Sequence, residues 1–170
     1  VENGRRPGAD RRHAREEIMK GKTFRDLDQI EKEFFDTDGE TATIRLRFER
    51  PDGKKLPIFY AGQYISLQFT MDGHVICRPY SISSAPFEAR AEKPFVEITV
   101  RKSRGDGWIS DYINDGLKVG DKVIGTMGLG QFYYEPLRDA KHVVALAGGV
   151  GITPFASMAR EIANGTLDFD

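Results

Sequence analysis

Apolar and polar residues alternate along three stretches of the chain, residues 44–49, 65–69 and 96–100. Successive side chains of a β-strand point to opposite faces, so an alternation with a period of two predicts half-buried strands. The pairs Asp38-Gly39 and Asp72-Gly73 are typical of the tight turns that join such strands. Many short strands separated by turns predict a closed antiparallel barrel or a sandwich.

The pattern changes after residue 101. Residues 106–117 have the apolar spacing of a short helix, and residues 121–125 have the character of a further strand. The run 142–147 is continuously apolar after its first residue, which predicts a parallel strand buried on both faces. The next predicted element is a helix over 154–163, with proline at its first position.

A glycine-rich turn, Gly148-Gly149-Val150-Gly151, joins the predicted parallel strand to the predicted helix. Backbone N–H groups and the positive end of a helix dipole favour an anion at such a junction, so the turn is a candidate phosphate or pyrophosphate site. A tight turn without any ligand would have the same sequence features. The sequence of the turn is compatible with both interpretations.

The chain divides into a basic arm at 1–25, a mainly β domain at 26–138 and the beginning of an α/β nucleotide-binding domain at 139–170. The arm has eight Lys or Arg residues against four Asp or Glu residues, and its sparse apolar residues favour a solvated segment. One βαβ unit takes about 30 residues, whereas only 22 residues follow Gly148. We therefore expect the nucleotide-binding domain to be incomplete in this sequence.

The overall composition excludes several classes of protein. The 25 basic and 26 acidic residues give a formal charge of −1, which disfavours nucleic acid and anionic lipid as partners. The single cysteine excludes an internal disulfide and a cysteine-rich metal site. No apolar run approaches the roughly 20 residues of a transmembrane helix. We expect a cytoplasmic protein without a bound metal, associated with a larger complex.

The segment Arg78-Pro79-Tyr80-Ser81 is predicted to be extended and combines three kinds of chemistry. A guanidinium can bind phosphate, an aromatic ring can stack on a planar ligand, and a hydroxyl can donate or accept a hydrogen bond. Taken alone, the segment is also typical of an ordinary strand.

Six motifs, read in their order along the chain, give a more specific indication. Together they resemble the ferredoxin-NADP reductase superfamily, and the similarity extends from about residue 28 to the C-terminus. The motifs are Ala61-Gly62-Gln63-Tyr64-Ile65, Arg78-Pro79-Tyr80-Ser81-Ile82, Gly107-Trp108-Ile109-Ser110, Gly120-Asp121-Lys122-Val123, Gly128-Leu129-Gly130-Gln131-Phe132 and Gly148-Gly149-Val150-Gly151-Ile152-Thr153-Pro154.

The resemblance implies a mainly β fold, a six-stranded antiparallel Greek-key flavin-binding barrel with a short helix. The first βα unit of a truncated α/β nucleotide-binding domain would follow it. By the same resemblance, Arg78 neutralises the flavin phosphate and Tyr80 packs on the isoalloxazine ring. Ser81 forms a hydrogen bond near flavin N5, which makes Ser81 and Tyr80 the candidate catalytic residues.

The resemblance also assigns three further groups of residues. The backbone of Thr99, Val100 and Arg101 would meet the edge of the flavin ring. The helix start at Gly107, Trp108, Ile109 and Ser110 would hold the pyrophosphate of FAD through N–H groups and the Ser110 hydroxyl. The turn residues Gly148, Gly149 and Gly151, together with Thr153, would face the nicotinamide nucleotide.

The function implied is that of the flavin-binding portion of an NAD(P)H-dependent oxidoreductase, which passes electrons from nicotinamide nucleotide through FAD to a downstream acceptor. The acceptor would be an iron-sulfur protein, an oxygenase, a cytochrome or a quinone site. FAD is favoured over FMN because residues 107–110 offer a second phosphate site. The alternative is a non-catalytic flavin-binding or docking module of a larger redox complex.

Overall fold

The computed structural model describes residues 23–34, 43–103 and 107–169. Most of the predicted basic arm therefore lies outside the described residues. Six strands account for most of the regular structure. They are β1 (Thr23–Phe34), β2 (Thr43–Glu49), β3 (Tyr64–Met71), β4 (His74–Ser81), β5 (Val96–Arg101) and β6 (Lys122–Leu129).

The strands form one sheet in the order β4-β3-β6-β1-β2-β5, and every neighbouring pair is antiparallel. Just beyond the end of β4, an isolated antiparallel bridge joins Ile82 to Ile98 of the other outer strand, β5. The mainly β, antiparallel class is thus confirmed. The hydrogen-bonded ladder of the described residues is open between β4 and β5, so the closed Greek-key barrel stays a prediction.

The alternating stretches place their apolar residues in a common core. In β2 and the first six residues of β3, buried and half-buried positions alternate without interruption, which confirms the period-two prediction. A buried aliphatic or aromatic side chain contributes about 1.5 to 3 kcal/mol relative to an exposed one. The fully buried apolar residues of β2, β3 and β5 are Ile44, Leu46, Phe48, Ile65, Leu67, Val96 and Ile98.

Two predicted helices are also confirmed. Helix α1 (Trp108–Asp111) continues into a wider helical turn at Tyr112–Gly116, within the predicted range 106–117. Helix α2 (Thr153–Ala163) has proline in its first turn, as predicted, and follows a short 3₁₀ turn at Gly149–Ile152.

The prediction of a buried parallel strand at 142–147 is wrong. These residues form no strand, and Val144 and Leu146 are 85% and 87% exposed. A parallel strand needs hydrogen-bonded neighbours and cover on both faces. All strands of the described residues belong to the antiparallel sheet, so none of them pairs with this run.

Gly62 lies where the chain passes close to a neighbouring loop. Its φ is +102°, and a Cβ added there would overlap the carbonyl oxygen of Phe132. We expect Gly62→Ala to lower the free energy of unfolding by about 2 kcal/mol or more, because backbone strain and overlap both oppose the native state. Urea unfolding followed by circular dichroism measures this loss.

Gly53→Ala is the matched control for Gly62→Ala. Gly53 also has a positive φ, +64°, but an added Cβ would have no heavy atom within 4 Å. We expect it to lose only about 1 kcal/mol, the cost of the backbone conformation alone. Equal losses in the two variants would show that the approach of Phe132 does not constrain residue 62.

Candidate functional site

Strand β4 presents the first group of predicted site residues along an outer strand of the sheet. Arg78 and Tyr80 lie opposite Leu67 and Ile65 of β3, which places the four residues on the same face. Leu67 and Ile65 are fully buried, whereas Arg78 is exposed and Tyr80 is half-buried. Arg78 and Tyr80 therefore lie at the solvent-exposed edge of an apolar face of the sheet.

Electrostatics distinguish the two side chains. The Arg78 guanidinium donates to the carbonyl oxygen of Cys77 at 3.0 Å from Nη1. Burial raises the pKa of Tyr80 to about 12, while the positive charge of Arg78 acts in the opposite direction. The phenol consequently stays protonated and neutral near pH 7, and its ring can pack on a planar ligand without a charge.

The end of β4 crosses to β5 immediately after Ser81. The bridge between Ile82 and Ile98 is antiparallel, so Ser81 is directed towards Thr99. The Oγ1 of Thr99 donates to the Oγ of Ser83 at 3.3 Å. The fold thus brings together the two segments that were predicted to surround a flavin ring.

The rest of the predicted ring-edge segment lies at the end of β5. Val100 is buried in the core, and Arg101 is exposed. A Cβ added to Gly149 would lie 3.9 Å from Nη1 of Arg101. The glycine-rich turn therefore approaches the end of the same strand.

The turn itself is exposed at Gly148, Gly149 and Gly151, and Gly149 has a φ of +54°. The N–H of Gly151 donates to the carbonyl of Gly148 at 3.0 Å. Thr153 is buried, and its hydroxyl donates to the carbonyl oxygen of Val150. The backbone of the turn is accessible, whereas the Thr153 hydroxyl is already used within the turn.

The predicted pyrophosphate segment forms the start of α1. Ile109 packs in the core, and Trp108 is 47% exposed. A Cβ added to Gly107 would overlap Cβ of Ser103 and lie 2.5 Å from Oγ of Ser110. The Ser110 hydroxyl donates to the carbonyl oxygen of Gly107 at 2.9 Å. Ser110 must turn its hydroxyl away from this carbonyl before it can donate to a phosphate.

Sequence reasoning missed a polar cluster between the sheet and α2. Glu97, on β5, is only 1% exposed and accepts hydrogen bonds from Arg47, Ser83 and Arg160. The alternation of 96–100 indicated a solvent-facing side chain at residue 97. The only signal in the sequence was the presence of two arginines, Arg45 and Arg47, on the predicted strand 44–49. The contact from Arg160 of α2 could not be predicted, because residues 97 and 160 are far apart in the sequence.

A cavity lies elsewhere in the described part of the chain. It has a volume of about 420 Å³ and includes no residue predicted to hold flavin or nucleotide. Its walls come from the segment 131–144, from α2 and from Phe169. Within the described residues, no group of His, Cys, Asp or Glu side chains could hold a metal ion. None of the helices there is long and apolar enough to cross a membrane.

Comparison with known proteins connects this arrangement to a family. Residues 35–134 match the model of an oxidoreductase FAD-binding domain, which is more than half of the chain. A flavohemoprotein from Halalkalibacterium halodurans is 37% identical over 127 residues, covering 70% of this chain and 29% of that protein. A glycine betaine monooxygenase reductase subunit from Chromohalobacter salexigens is 32% identical over 121 residues, covering 71% and 31% respectively.

A solved structure agrees with these relatives. The ferredoxin NADP+ reductase from Neisseria gonorrhoeae with bound FAD and NADP superposes with a TM-score of 0.63 at 25% identity, covering 88% of this chain and 55% of that one. The chain spans less than a third of the length of the flavohemoprotein and the reductase subunit. The resemblance found in the motifs is confirmed, and the chain belongs to the oxidoreductase FAD-binding domains of the ferredoxin-NADP reductase superfamily.

Proposed function

We propose that this chain is the flavin-binding portion of an NAD(P)H-dependent oxidoreductase that passes electrons through FAD to a downstream acceptor. The observation that carries the proposal is the meeting of three segments at the ends of β4 and β5. Tyr80 and Ser81 end β4, Thr99 lies beside them on β5, and the glycine-rich turn approaches Arg101. A flavin and a nicotinamide ring have to be close to each other for hydride transfer.

The chemistry of β4 fits a flavin. Arg78 is exposed and offers a charge-assisted hydrogen bond to phosphate, worth about 1.5 to 3 kcal/mol. Tyr80 offers a neutral ring beside an apolar face, which suits the isoalloxazine. Thr99 to Arg101 would contribute backbone groups at the ring edge. We also propose that the six strands form a closed barrel. The flavin would lie over the gap in the hydrogen-bonded ladder between β4 and β5.

The start of α1 supports FAD rather than FMN. Residue 107 has no room for a side chain because Ser103 and Ser110 fill the space beside its Cα, so this helix start requires glycine. The N–H groups of Gly107 to Ser110 would then bind the pyrophosphate, with Ser110 exchanging its present carbonyl partner for a phosphate oxygen. Trp108, which is largely exposed, would border the same ligand.

When bound, FAD supplies the acceptor for a hydride and the site from which electrons leave. The chain's own residues would bind the flavin and the nicotinamide nucleotide and orient them. Ser81 presents a hydroxyl at the end of β4, and the turn at 148–151 offers backbone N–H groups for the nicotinamide nucleotide. Thr153 fixes the turn internally through Val150. We assign residues 26–138 to the flavin domain and residues 139–170 to the beginning of the nucleotide domain.

The relatives favour an acceptor that lies outside this chain. One relative is a reductase subunit of a monooxygenase and another is a flavohemoprotein. We propose an oxygenase, cytochrome, iron-sulfur or quinone acceptor accordingly. The second candidate is a non-catalytic flavin-binding or docking module, and the exposed apolar run 143–146 favours it. Reduction of the bound flavin by NADH or NADPH separates the two candidates.

Ser81→Ala tests the catalytic part of the proposal. We expect the flavin content to stay near that of the unmodified chain. Reduction of the flavin by NADH or NADPH should slow by about 10- to 100-fold, because a hydroxyl at the reacting edge stabilises developing charge more than it contributes to flavin binding. Anaerobic stopped-flow absorbance measures the reduction, and absorbance after gel filtration measures the flavin content.

Ser66→Ala is the control for Ser81→Ala. Ser66 is a half-buried serine of β3 and pairs with Pro79, away from β5. Its loss is expected to change neither flavin content nor reduction rate. If Ser81→Ala reduces as fast as Ser66→Ala, Ser81 has no part in the reaction.

A further inference from the structure

The face of α2 that meets the sheet is polar. Ser157, Arg160 and Glu161 are three and four residues apart, which places them on one side of the helix. The Ser157 hydroxyl donates to the carbonyl of Ser84 at 2.6 Å, and Glu161 Oε1 accepts from the N–H of Phe87 at 3.2 Å. Helix α2 is therefore anchored on the segment that follows β4.

Arg160 makes the contact that reaches the sheet itself. Its Nη2 donates to Oε1 of Glu97 at 3.0 Å, and its Nη1 donates to Oε2 of Glu88 at 3.1 Å. The planar fork of a guanidinium can satisfy two carboxylates in fixed directions, which a lysine cannot do. One side chain of α2 thus fixes the helix to β5 and to the 3₁₀ turn at Glu88–Arg90.

The same carboxylate is connected to the proposed flavin edge. Oε1 of Glu97 also accepts from the hydroxyl of Ser83 at 3.1 Å, and Ser83 accepts from the hydroxyl of Thr99. At the other end of α2, the turn approaches Arg101 through Gly149. The polar cluster therefore connects α2 to Thr99 at one end of the ring-edge segment, and the turn that precedes α2 lies near Arg101 at the other end.

Loss of Arg160 would leave the sheet intact. Glu97 would keep Nε of Arg47 at 2.9 Å and Nε of Arg45 at 3.5 Å, both from β2. A buried carboxylate that retains cationic partners does not become an uncompensated charge. The effect of removing Arg160 should consequently fall on the position of α2.

We propose that Arg160, acting through Glu97, is a positioning residue that holds the glycine-rich turn at a fixed distance from the flavin edge. The inference rests on the proposed function, since it concerns how the nucleotide approaches the flavin. A displacement of about 1 Å between reacting groups can cost up to 100-fold in rate. Anchoring the helix by a two-carboxylate contact restricts such displacement.

Arg160→Gln and Arg160→Lys test this inference in the 170-residue chain. Hydrogen exchange by mass spectrometry is expected to show amides of 153–163 exchanging about ten-fold faster in Arg160→Gln, with β3 unchanged. Flavin content and reduction by dithionite should stay as in the unmodified chain. Reduction by NADH or NADPH should slow by about ten-fold, and Arg160→Lys should lie between the two.

Arg50→Gln is the matched control, because it removes an arginine whose partner Asp52 lies in an exposed pair at 2.6 Å. Unchanged exchange of α2 in Arg160→Gln would overturn the anchoring role. Faster exchange with an unchanged nucleotide-driven rate would overturn the positioning role. If Arg160→Gln does not fold, Arg160→Lys serves as the test variant. Flavin reduction by NADH or NADPH in Arg160→Lys at the rate of the unmodified chain would then contradict the inference. An unmodified chain that retains no FAD would refute the proposed function, whereas the exchange of the α2 amides would still test the anchoring role of Arg160 by itself.

Discussion

Arg78→Ala is expected to weaken the retention of FAD by about ten-fold or more. A charge-assisted hydrogen bond contributes about 1.5 to 3 kcal/mol, and each factor of ten in affinity corresponds to about 1.4 kcal/mol. The side chain is exposed on β4, so its removal leaves no cavity in the core. Fluorescence titration of the flavin-free chain with FAD gives the dissociation constant.

Two further variants define what Arg78 contributes. Arg78→Lys keeps the charge without the fork and should bind FAD with an intermediate affinity. Arg50→Ala removes an arginine of an exposed ion pair and should leave FAD affinity unchanged. If Arg78→Ala binds FAD as tightly as Arg50→Ala does, the guanidinium contacts no flavin phosphate.

The second large effect concerns the source of electrons. We expect dithionite to reduce the bound flavin completely, whereas NADH and NADPH reduce it far more slowly than NADPH reduces the flavin of the full-length ferredoxin NADP+ reductase from Neisseria gonorrhoeae. The chain's residues 141–150 are exposed, and no described strand pairs with them. A nicotinamide nucleotide needs a preorganised cleft, which a single turn and helix do not provide.

Anaerobic stopped-flow absorbance measures both reductions in the same preparation. Complete reduction by dithionite serves as the control that the flavin is bound and redox-active. Reduction by NADH or NADPH at the rate of the full-length relative would show that residues 139–170 already form a competent nucleotide site.

The strands could be predicted from the sequence because each face of a strand has one kind of environment. Residues 44–49 and 65–69 alternate between the core and the surface, and their pattern is visible without knowing their neighbours. The helix at Thr153–Ala163 could also be predicted from the sequence, because the glycines before it and the proline in its first turn mark where it begins. The motif at Arg78 and Ser81 could be found because its residues are adjacent in the chain.

Two features could not be predicted because they depend on distant residues. The apolar run 142–147 has the composition of a buried strand, but hydrophobicity does not supply the partners that a strand requires. Glu97 has the spacing of a surface residue, yet Arg47 of β2 and Arg160 of α2 bury it. The alternation of apolar and polar residues predicts which side chains of a strand are exposed only where no other element packs on the polar face.

The visible absorbance of the purified chain after mixing with FAD shows whether this chain binds flavin. After gel filtration, we expect flavin absorbance to elute with the protein and FAD to be retained more tightly than FMN. The preference is expected because residues 107–110 offer a second phosphate site that FMN does not use. A protein fraction that stays colourless after mixing with FAD would contradict the assignment of this chain as a flavin-binding domain.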